Sequence, residues 1–508
     1  MSAGIGSHIK TRSLGDAIRN GLIAHQGKLP YYRSLVGAVG ANLQNGRGGA
    51  CTEHYTAYDP EVETLTKLKN QTQVESKKIR GMDYSFGSNK FFARKVAKNE
   101  DVMLFSYADA PELYEAQYSS DPKLFETLYN EYESNPLTKK TYINARDLVV
   151  STLTEAYETG RSYLHFTDEI NHHTPFLDPI YSSNLCQEIA LPTKGYRCVS
   201  ELYRKYQEGD GEIALCSLGG IVVANIENDE QYAEVAYYTL KMISKCIHKS
   251  DYVFQNLSDT AKSRMNAGVG VMGLAHLMAK KKLKYSSQEG KNFMHELAET
   301  HSWHLINASL RIGKESGNAP WMHKTKWPQG WLPIDTYNKN VDKIVTVGLT
   351  RDWEDLRSKI IANGGIAHSS IVAHMPGESS SQAAGTTNSI YPIRDFSLLK
   401  TSETTVNSWI APDSTKLKDY YELAWDIPTD DLIDGYAIWQ KFGDQSISAD
   451  LYRKLIGSEK VGTSEMISIY LNMVRKGMKT RYYQNSKTSA GYETGADDVG
   501  CAGGSCTL

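Results

Sequence analysis

The sequence lacks the features that mark several protein classes. It contains no run of 18 or more apolar residues, which is the least that a membrane-spanning helix requires. Residues 1–10 include no apolar core of signal-peptide length. Neither sign of charge dominates, because 56 Lys and Arg residues stand against 59 Asp and Glu residues. We therefore expect a cytoplasmic protein that neither enters a membrane nor binds nucleic acid directly.

Cysteine is also scarce. Seven cysteines are spread over 508 residues, at positions 51, 186, 198, 216, 246, 501 and 506. This number and spacing do not suit the disulfide framework of a small secreted protein. In a reducing compartment such cysteines remain thiols, so a cysteine beside other reactive groups is a candidate for catalysis.

What the sequence has in quantity is material for a large core. Apolar residues make up 40% of the chain, and short apolar segments alternate with amphipathic segments of helical length. Residues 146–159, followed by Gly160, and residues 463–476, followed by Gly477, are typical of helices. Residues 163–166 and 211–220 are typical of strands. No Pro- or Ser-rich linker divides the chain before residue 485. The pattern predicts an α/β fold in one large domain.

One short segment combines three reactive side chains, Asn184-Leu-Cys-Gln-Glu188. In an extended backbone, alternate residues share a face, so Asn184, Cys186 and Glu188 would point the same way. An amide, a thiol and a carboxylate grouped in this way could carry out covalent or acid–base chemistry. The alternative is a buried structural cysteine beside a chance glutamate, which is the commoner situation.

Two further kinds of segment could bind phosphate. Residues 10–21 and 44–49 are loops with arginines, the second of them rich in glycine, and backbone amides with a guanidinium suit a nucleotide. The segment Met375-Pro-Gly-Glu-Ser-Ser-Ser-Gln382 offers three hydroxyls after an apolar stretch. An ordinary flexible turn is the alternative for the loops, which are weak evidence by themselves. A serine-rich capping turn is the alternative for the second segment and is the commoner situation.

The C-terminal region ends in a possible redox tail. Tyr482 and Tyr483 are adjacent on a predicted strand, where they could stack only if the strand were kinked. Residues 486–508 are rich in Gly, Ser, Thr and Asp and carry Cys501 and Cys506. These two thiols could be half of a zinc site, inert, or a mobile dithiol that visits an interior disulfide. Eighteen residues of flexible chain reach roughly 60 Å when extended, which is far enough for the third role.

Taken in order, these segments resemble the large subunit of aerobic (class I) ribonucleoside-diphosphate reductase. The matching segments are Asn184-Leu-Cys-Gln-Glu188, Ala214-Leu-Cys216, Pro376-Gly-Glu-Ser-Ser380, Tyr482-Tyr483-Gln-Asn and the C-terminal Cys-x4-Cys. The resemblance covers essentially the whole chain. It implies an oxidoreductase that converts ribonucleoside diphosphates to 2′-deoxyribonucleoside diphosphates by a thiyl-radical mechanism, with a disulfide as acceptor.

The resemblance also implies an architecture. Residues 1–485 would form a ten-stranded α/β barrel, incomplete at its N-terminal strand, with allosteric specificity loops near residues 4–50. A central finger loop would carry the radical cysteine. Residues 486–508 would be a flexible redox tail.

Catalytic roles follow from the resemblance residue by residue. Cys186 would be the thiyl radical that removes the 3′-hydrogen of the ribose, and Glu188 the base on the 3′-hydroxyl. Asn184 would hold the substrate hydroxyls. Tyr482 and Tyr483 would relay the radical from a separate small subunit.

Further residues would serve reduction and binding. Cys216 would be half of the dithiol that reduces the 2′ position, and Cys501 and Cys506 would reduce the resulting disulfide. The expected substrate contacts are Gly4, Asn184, Glu188, Pro376, Glu378, Ser379 and Ser380. The expected contacts to nucleoside triphosphate effectors are Arg12 and Arg47.

Complete large subunits of this family begin earlier than this sequence does. We therefore expect the C-terminal part of a split chain, lacking an ATP cone, a helical region and the first barrel strand with the second interior thiol. Its expected partners are an N-terminal fragment, a small subunit with a dimetal-tyrosyl radical, and thioredoxin or glutaredoxin. The assembled large subunit would be a homodimer, with no covalently bound cofactor and no metal site in this chain.

Other functions remain open alternatives. A glycyl-radical enzyme would also place a cysteine on a finger loop, and Gly491-Tyr492 superficially suits one. The tyrosine pair and tail dithiol argue against it and against a cobalamin-dependent relative. A catalytically dead nucleotide-binding regulator would need none of the reactive residues that this sequence retains.

Overall fold

A computed structural model of the chain describes residues 4–18, 21–41, 49–401, 406–455, 459–488 and 493–494. These residues form two compact units. The first comprises the described residues up to 172, residues 180–190 and those from 448 onward, and the second comprises residues 173–179 and 191–447. Within the described ranges, no helix has the length and apolar character needed to cross a membrane.

Short strands occur in both units. They are β1 Gly4–His8, β2 Ala17–Ile18, β3 Ile23–Ala24, β4 Ala50–Thr56, β5 Asp83–Ser88, β6 Asp101–Leu104, β7 Thr141–Asn144, β8 Ser162–Phe166, β9 Ser217–Val222, β10 Ala267–Met272, β11 Ser397–Thr401, β12 Val406–Ile410, β13 Leu451–Leu455, β14 Thr480–Arg481, β15 Gln484–Thr488 and β16 Glu493–Thr494.

The α-helices vary more in length. They are α1 Leu29–Gly40, α2 Val62–Thr66, α3 Lys90–Lys98, α4 Pro111–Ala116, α5 Pro122–Ser134, α6 Ala145–Thr159, α7 Thr167–His172, α8 Ser200–Tyr203, α9 Asp229–Lys249, α10 Gln255–Arg264, α11 Leu274–Lys280, α12 Gln288–Ser316, α13 Pro333–Thr336, α14 Trp353–Asn363, α15 Glu378–Ala383, α16 Ser414–Leu417, α17 Thr429–Phe442 and α18 Thr463–Arg475.

The first unit is built on a five-stranded sheet in the order β1-β4-β5-β8-β14. Neighbours from β1 to β8 run parallel, and β14 runs antiparallel to β8. The middle strands β4 and β5 are buried along almost their whole length, as expected for parallel strands covered on both faces. This sheet positions the candidate site described below.

Helix ends follow the sequence signals closely. Helix α6 begins after Asn144, whose side chain accepts hydrogen bonds from the backbone amides of Arg146 and Asp147, and ends at Gly160 with a φ of 73°. Gly477, which follows α18, has the same left-handed φ of 73°. Glycine adopts this conformation without the steric cost that other residues incur. The predicted helices over 146–159 and 463–476 are therefore confirmed to within one residue.

The second unit contains the parallel pair β9 and β10. A strand-like segment that includes Ile371 and Ala373 lies beside β10. Val269 of β10 donates to the carbonyl oxygen of Ile371 at 2.7 Å and accepts from the amide of Ala373. Long helices surround this pair, and α12 packs against both α9 and α17. The predicted strand over 211–220 begins only at Ser217, because pairing with β10 starts at Ala267. Cys216 therefore lies just before the strand, not inside it.

The mixed α/β class is confirmed. In the described part of the chain, the strands form separate sheets, of which the largest has five strands. Closure into a ten-stranded barrel, the single-domain organisation and the redox tail stay predictions.

Candidate active site

The segment from Ser183 to Ala190 is a loop with Cys186 at its tip. An antiparallel bridge joins its two ends. Between them the backbone amide of Gln187 donates to the carbonyl oxygen of Asn184 at 3.2 Å, and the φ angle of Gln187 is 71°. The expectation of an extended backbone is therefore wrong, because this hydrogen bond closes a turn around Cys186.

Side chains from distant parts of the first unit hold this loop by its carbonyl groups. Thr52 of β4 donates through its hydroxyl to the carbonyl oxygen of Leu185 at 3.0 Å. Ser448 donates to the carbonyl oxygen of Cys186 at 2.6 Å. The backbone on either side of the thiol is therefore fixed by hydrogen bonds that do not involve the sulfur atom.

Two glycines of β1 allow the loop to approach the sheet. A Cβ atom on Gly6 would stand 1.5 Å from the carbonyl oxygen of Ser183, and one on Gly4 would stand 2.8 Å from Cβ of Leu185. Any larger residue would push the loop away from the sheet. Gly4, which we expected to contact substrate, thus contacts the loop that carries Cys186.

The Glu188 carboxyl is 2% exposed. Burial raises its pKa above the ordinary value, while hydrogen bonds from Asn184 and Ser448 act in the opposite direction. The hydroxyl of Ser448 lies 3.1 Å from Oε2 of Glu188. Asn184 and Ser448 therefore both hydrogen-bond the Glu188 carboxyl, and Ser448 also bonds the backbone of Cys186, although an extended strand does not group these residues.

Tyr482 and Tyr483 lie in a break between two strands. Strand β14 ends at Arg481 and β15 begins at Gln484. This break lets the two rings lie on the same side, with centroids 3.9 Å apart and planes inclined by 37°. The kink that stacking of adjacent aromatic residues requires is therefore present.

The tyrosine pair leads directly to the thiol. The hydroxyl of Tyr482 lies 3.4 Å from Sγ of Cys186. The thiol is 8% exposed, and the rings of Tyr482 and Tyr483 are 1% and 3% exposed. Three oxidisable side chains therefore form a continuous buried line.

A third tyrosine packs against this pair. The ring of Tyr163, on β8, lies 4.8 Å from Tyr482 and 5.9 Å from Tyr483. Its hydroxyl donates to Oδ2 of Asp83 at 2.9 Å. Although burial acts to raise the pKa of Asp83, the neighbouring cations of Lys69 and Arg161 hold it below the ordinary value. Asp83 therefore accepts this hydrogen bond as a carboxylate.

The other predicted site residues are divided between the two units or lie outside the described residues. Arg12 belongs to the first unit, whereas Cys216, Pro376, Glu378, Ser379 and Ser380 belong to the second. Glu378 to Ser380 form the first turn of α15, and Arg394 lies 3.5 Å from the Glu378 carboxylate. Arg47, Cys501 and Cys506 lie outside the described residues.

Comparison with known proteins shows the family to which the chain belongs. Residues 1–484 match the family described as ribonucleotide reductase, barrel domain. The chain belongs to the ribonucleotide reductase family. Its function is the large-subunit function of that family, the reduction of ribonucleoside diphosphates to 2′-deoxyribonucleoside diphosphates.

Individual relatives of this reductase chain cover it completely or nearly so. The ribonucleoside-diphosphate reductase subunit alpha of Haemophilus influenzae is 36% identical over 517 residues, which cover 100% of this chain and 67% of the relative. Subunit alpha of reductase 1 of Escherichia coli is 37% identical over 524 residues, with the same coverage. Subunit alpha of Enterobacteria phage T4 is 34% identical over 502 residues, 96% of this chain and 65% of the relative. The reductase chain thus spans about two thirds of the length of these relatives.

Sequence reasoning missed several residues of this reductase site. They include Thr52, Tyr163 and Ser448, which hold or contact the loop and the tyrosine pair. Serine, threonine and tyrosine are common, and the two hydroxyls bind backbone carbonyls, so no side-chain pattern marks them. The sequence offered one signal for Tyr163, because side chains alternate along a strand such as β8 and Tyr163 must therefore lie on one of its two faces.

Proposed function

We propose that Cys186 carries the thiyl radical with which this reductase attacks its substrate. The observation that supports this most strongly is the 3.4 Å separation between the Tyr482 hydroxyl and Cys186 Sγ, both buried from water. A hydrogen atom can pass over this distance from the thiol to an oxidised tyrosine. Burial protects the resulting sulfur radical from solvent and stray reductants.

The neighbouring side chains fit the acid–base part of the reaction. Once Cys186 has removed the 3′-hydrogen, Glu188 takes the proton of the 3′-hydroxyl, and Asn184 holds the substrate hydroxyls. A general base must be ionised before it can act. The hydrogen bonds from Asn184 and Ser448 oppose the effect of burial and so favour the ionised form of Glu188.

The radical reaches Cys186 through Tyr483 and then Tyr482. Ring centroids 3.9 Å apart support direct transfer of an electron and a proton between the two residues. The source is a separate radical-generating small subunit with a dimetal-tyrosyl centre. Transfer of the radical toward Cys186 requires an oxidant outside the chain, and the small subunit supplies that oxidant.

Cysteines complete the redox balance. For each ribonucleotide reduced, the 2′-hydroxyl leaves as water while Cys216 and a second interior thiol become a disulfide. Cys501 and Cys506 of the tail then reduce that disulfide by thiol exchange. Thioredoxin or glutaredoxin in turn reduces the tail.

Binding of nucleotides is divided between two regions in this proposal. Gly4, Pro376, Glu378, Ser379 and Ser380 contact the substrate, and the serine hydroxyls at the start of α15 donate to its diphosphate. Arg12 and Arg47 contact nucleoside triphosphate effectors. A cavity of about 520 Å³ lined by Thr11, Arg12, His25 and Tyr107, among others, supports the role of Arg12. A cation, an imidazole and a phenol are suitable partners for a nucleotide.

The partners follow from the same scheme. Strand β1 lies at the edge of its sheet, with β4 as its neighbour. An unpaired strand edge readily accepts another strand. We include in the proposal an N-terminal fragment that supplies such a strand with the second interior thiol, and closes a ten-stranded barrel. The assembled large subunit forms a homodimer, and this homodimer acts together with the small subunit.

Replacement of the proposed radical residue tests the function. In the complete reductase, Cys186→Ser should bind substrate normally and show no turnover, because the serine O–H bond is too strong for the hydrogen-atom cycle. Cys246→Ser, at an exposed cysteine, serves as the control and should remain active. Measurable deoxynucleotide formation by Cys186→Ser would refute the proposal.

A further inference from the structure

His54, on strand β4, contacts the loop that carries Cys186. The ring nitrogen Nδ1 of His54 lies 3.3 Å from the carbonyl oxygen of Ser7. The other nitrogen, Nε2, lies 3.3 Å from the backbone amide of Ser183 and 3.1 Å from its hydroxyl. A carbonyl can only accept and a backbone amide can only donate. The proton is therefore on Nδ1, and Nε2 is an acceptor for the start of the loop.

The same nitrogen also faces the other side of the loop. The Nε2 atom of the Gln187 side chain lies 3.3 Å from Nε2 of His54 and 3.3 Å from the carbonyl oxygen of Asn184. The opposite end of this amide, Oε1, accepts from the hydroxyl of Ser85 at 2.9 Å. Gln187 is fully buried. Donors from residues on both sides of Cys186 thus share the single lone pair of this imidazole nitrogen.

Gln187 needs such support because of its backbone. Its φ of 71° lies in the left-handed region, which side-chain-bearing residues rarely adopt unless their surroundings enforce it. It directly follows Cys186 and closes the turn that contains the thiol. The hydrogen bonds of its side-chain amide to His54 and Ser85 add to the backbone hydrogen bond from Gln187 to Asn184 in enforcing it.

We propose that His54 is a positioning residue for the radical step: as a neutral acceptor it fixes Ser183 and Gln187 and thereby holds the Cys186 thiol beside Tyr482. The proposal rests on the role proposed above for Cys186. Small displacements of a reacting group can lower a rate roughly a hundredfold. Loss of the acceptor should therefore affect turnover far more than substrate binding.

The surroundings keep His54 in the required state. Burial lowers the pKa of His54 to about 4. The titratable groups that face it are His165 of β8, with ring centroids 5.1 Å apart, and His8 of β1. Burial lowers the pKa of both of these as well, so all three rings are neutral near pH 7. We therefore expect no contribution from His54 to the pH profile between pH 6 and 9.

The first test replaces the acceptor while keeping the bulk. In the complete reductase, His54→Phe should lower kcat by about ten- to a hundredfold, with KM and substrate affinity unchanged. His54→Gln, which can place an amide oxygen near the position of Nε2, should recover most of the loss. His165→Phe is the matched control: His165 is equally buried on the same face of the sheet, and its ring nitrogens have no hydrogen-bond partner in the described part of the chain. It should leave kcat within twofold of the wild type.

A second variant distinguishes a positioning role of His54 from misfolding and from a merely structural role. Gln187→Leu removes the other partner of the contact and should lower kcat by a similar factor. In the double variant with His54→Phe, the loss should be no larger than in either single variant, because both act through one contact. Multiplied losses, an equal loss in His165→Phe, or failure of His54→Gln to restore activity would overturn the proposal.

The assay also distinguishes the two proposals. Cys186→Ser is measured in the same preparations. If it is inactive while His54→Phe and Gln187→Leu remain fully active, His54 does not position the loop and the function stands. If Cys186→Ser itself turns over substrate, the proposed function is refuted, whatever the result for the His54 variants.

Discussion

The hydroxyl of Ser448 lies 2.6 Å from the carbonyl oxygen of Cys186, although 262 residues separate the two in the chain. The same hydroxyl lies 3.1 Å from the Glu188 carboxylate. A serine has one proton to donate, so it serves either the loop backbone or the proposed base at any moment. Ser448 therefore links the position of the radical residue to the ionisation of the base.

This link predicts the effect of Ser448→Ala. Loss of a hydrogen bond to a charged group costs roughly 1.5–3 kcal/mol, so kcat should fall about tenfold or more. The Ser448 hydrogen bond lowers the pKa of Glu188, so its removal raises that pKa. Because the base must be ionised, the acid limb of the kcat profile should move to higher pH. Ser446→Ala, at a buried serine whose hydroxyl has no partner among the described residues, should leave the profile unchanged, and an unmoved acid limb in Ser448→Ala would exclude the link.

The tyrosine pair leads to a second prediction. Tyr482→Phe and Tyr483→Phe keep the stacked rings but remove the phenol protons, so each should abolish turnover in the complete reductase while preserving the thermal midpoint. Tyr470→Phe is the control, since Tyr470 is buried and bonds Ser88 through its hydroxyl at 2.8 Å. It should lose about 1 kcal/mol of stability and keep its activity. More than a small fraction of wild-type turnover in either relay variant would show that the radical does not pass through that residue.

Much of the fold could be predicted from local signals. Gly160 and Gly477 follow helices α6 and α18, and the left-handed conformation that terminates such helices is specific enough to predict from the sequence. The break at Tyr482 and Tyr483 could be anticipated because stacked neighbours are incompatible with a regular strand. The start of β9 at Ser217 could not, since it depends on the register with a strand 50 residues later.

The site was predictable only in part. The residues alone suggested that Asn184, Cys186 and Glu188 act together, and in the structure Asn184 and Ser448 both hydrogen-bond the Glu188 carboxyl. The turn that groups them was missed because Gln187 is not a residue whose type signals a positive φ. The approach of Tyr482 to Cys186 joins positions 296 residues apart, so only the family resemblance, not spacing, indicated it.

A third prediction separates the proposed tail dithiol from the interior one. Cys501→Ser or Cys506→Ser should abolish turnover driven by thioredoxin, because the tail can no longer carry electrons inward. With dithiothreitol, which can enter the site itself, both variants should stay active. Cys216→Ser should be inactive with either reductant. Equal loss with both reductants in the tail variants would contradict the shuttle and favour a metal-binding role for the tail thiols.

A fourth prediction concerns Glu53, a buried carboxyl on the opposite face of β4 from His54. It is 0% exposed, and Oε2 has no hydrogen-bond partner in the described part of the chain. Burial raises its pKa from the ordinary 4.5 to about 8, against the opposing effects of Ser7, Lys28 and Ile9. Between these two pH values the folded chain keeps a proton that the unfolded chain has lost. The contribution of Glu53 to the free energy of unfolding therefore falls by about 1.4 kcal/mol per pH unit over that window and is level above it.

Glu53→Gln removes this dependence, because an amide cannot ionise and its oxygen can still accept the hydrogen bond that Ile9 donates to the carboxyl at 3.1 Å. The variant should differ little from the wild type near pH 5. Its thermal midpoint should then rise relative to the wild type up to about pH 8 and stay level beyond. Glu75→Gln, at a side chain that is 82% exposed, should show no such growing difference when midpoints are measured in parallel from pH 5 to 9. A constant difference between Glu53→Gln and the wild type across this range would mean that Glu53 is ionised in the folded chain near neutral pH, with Lys28 outweighing burial.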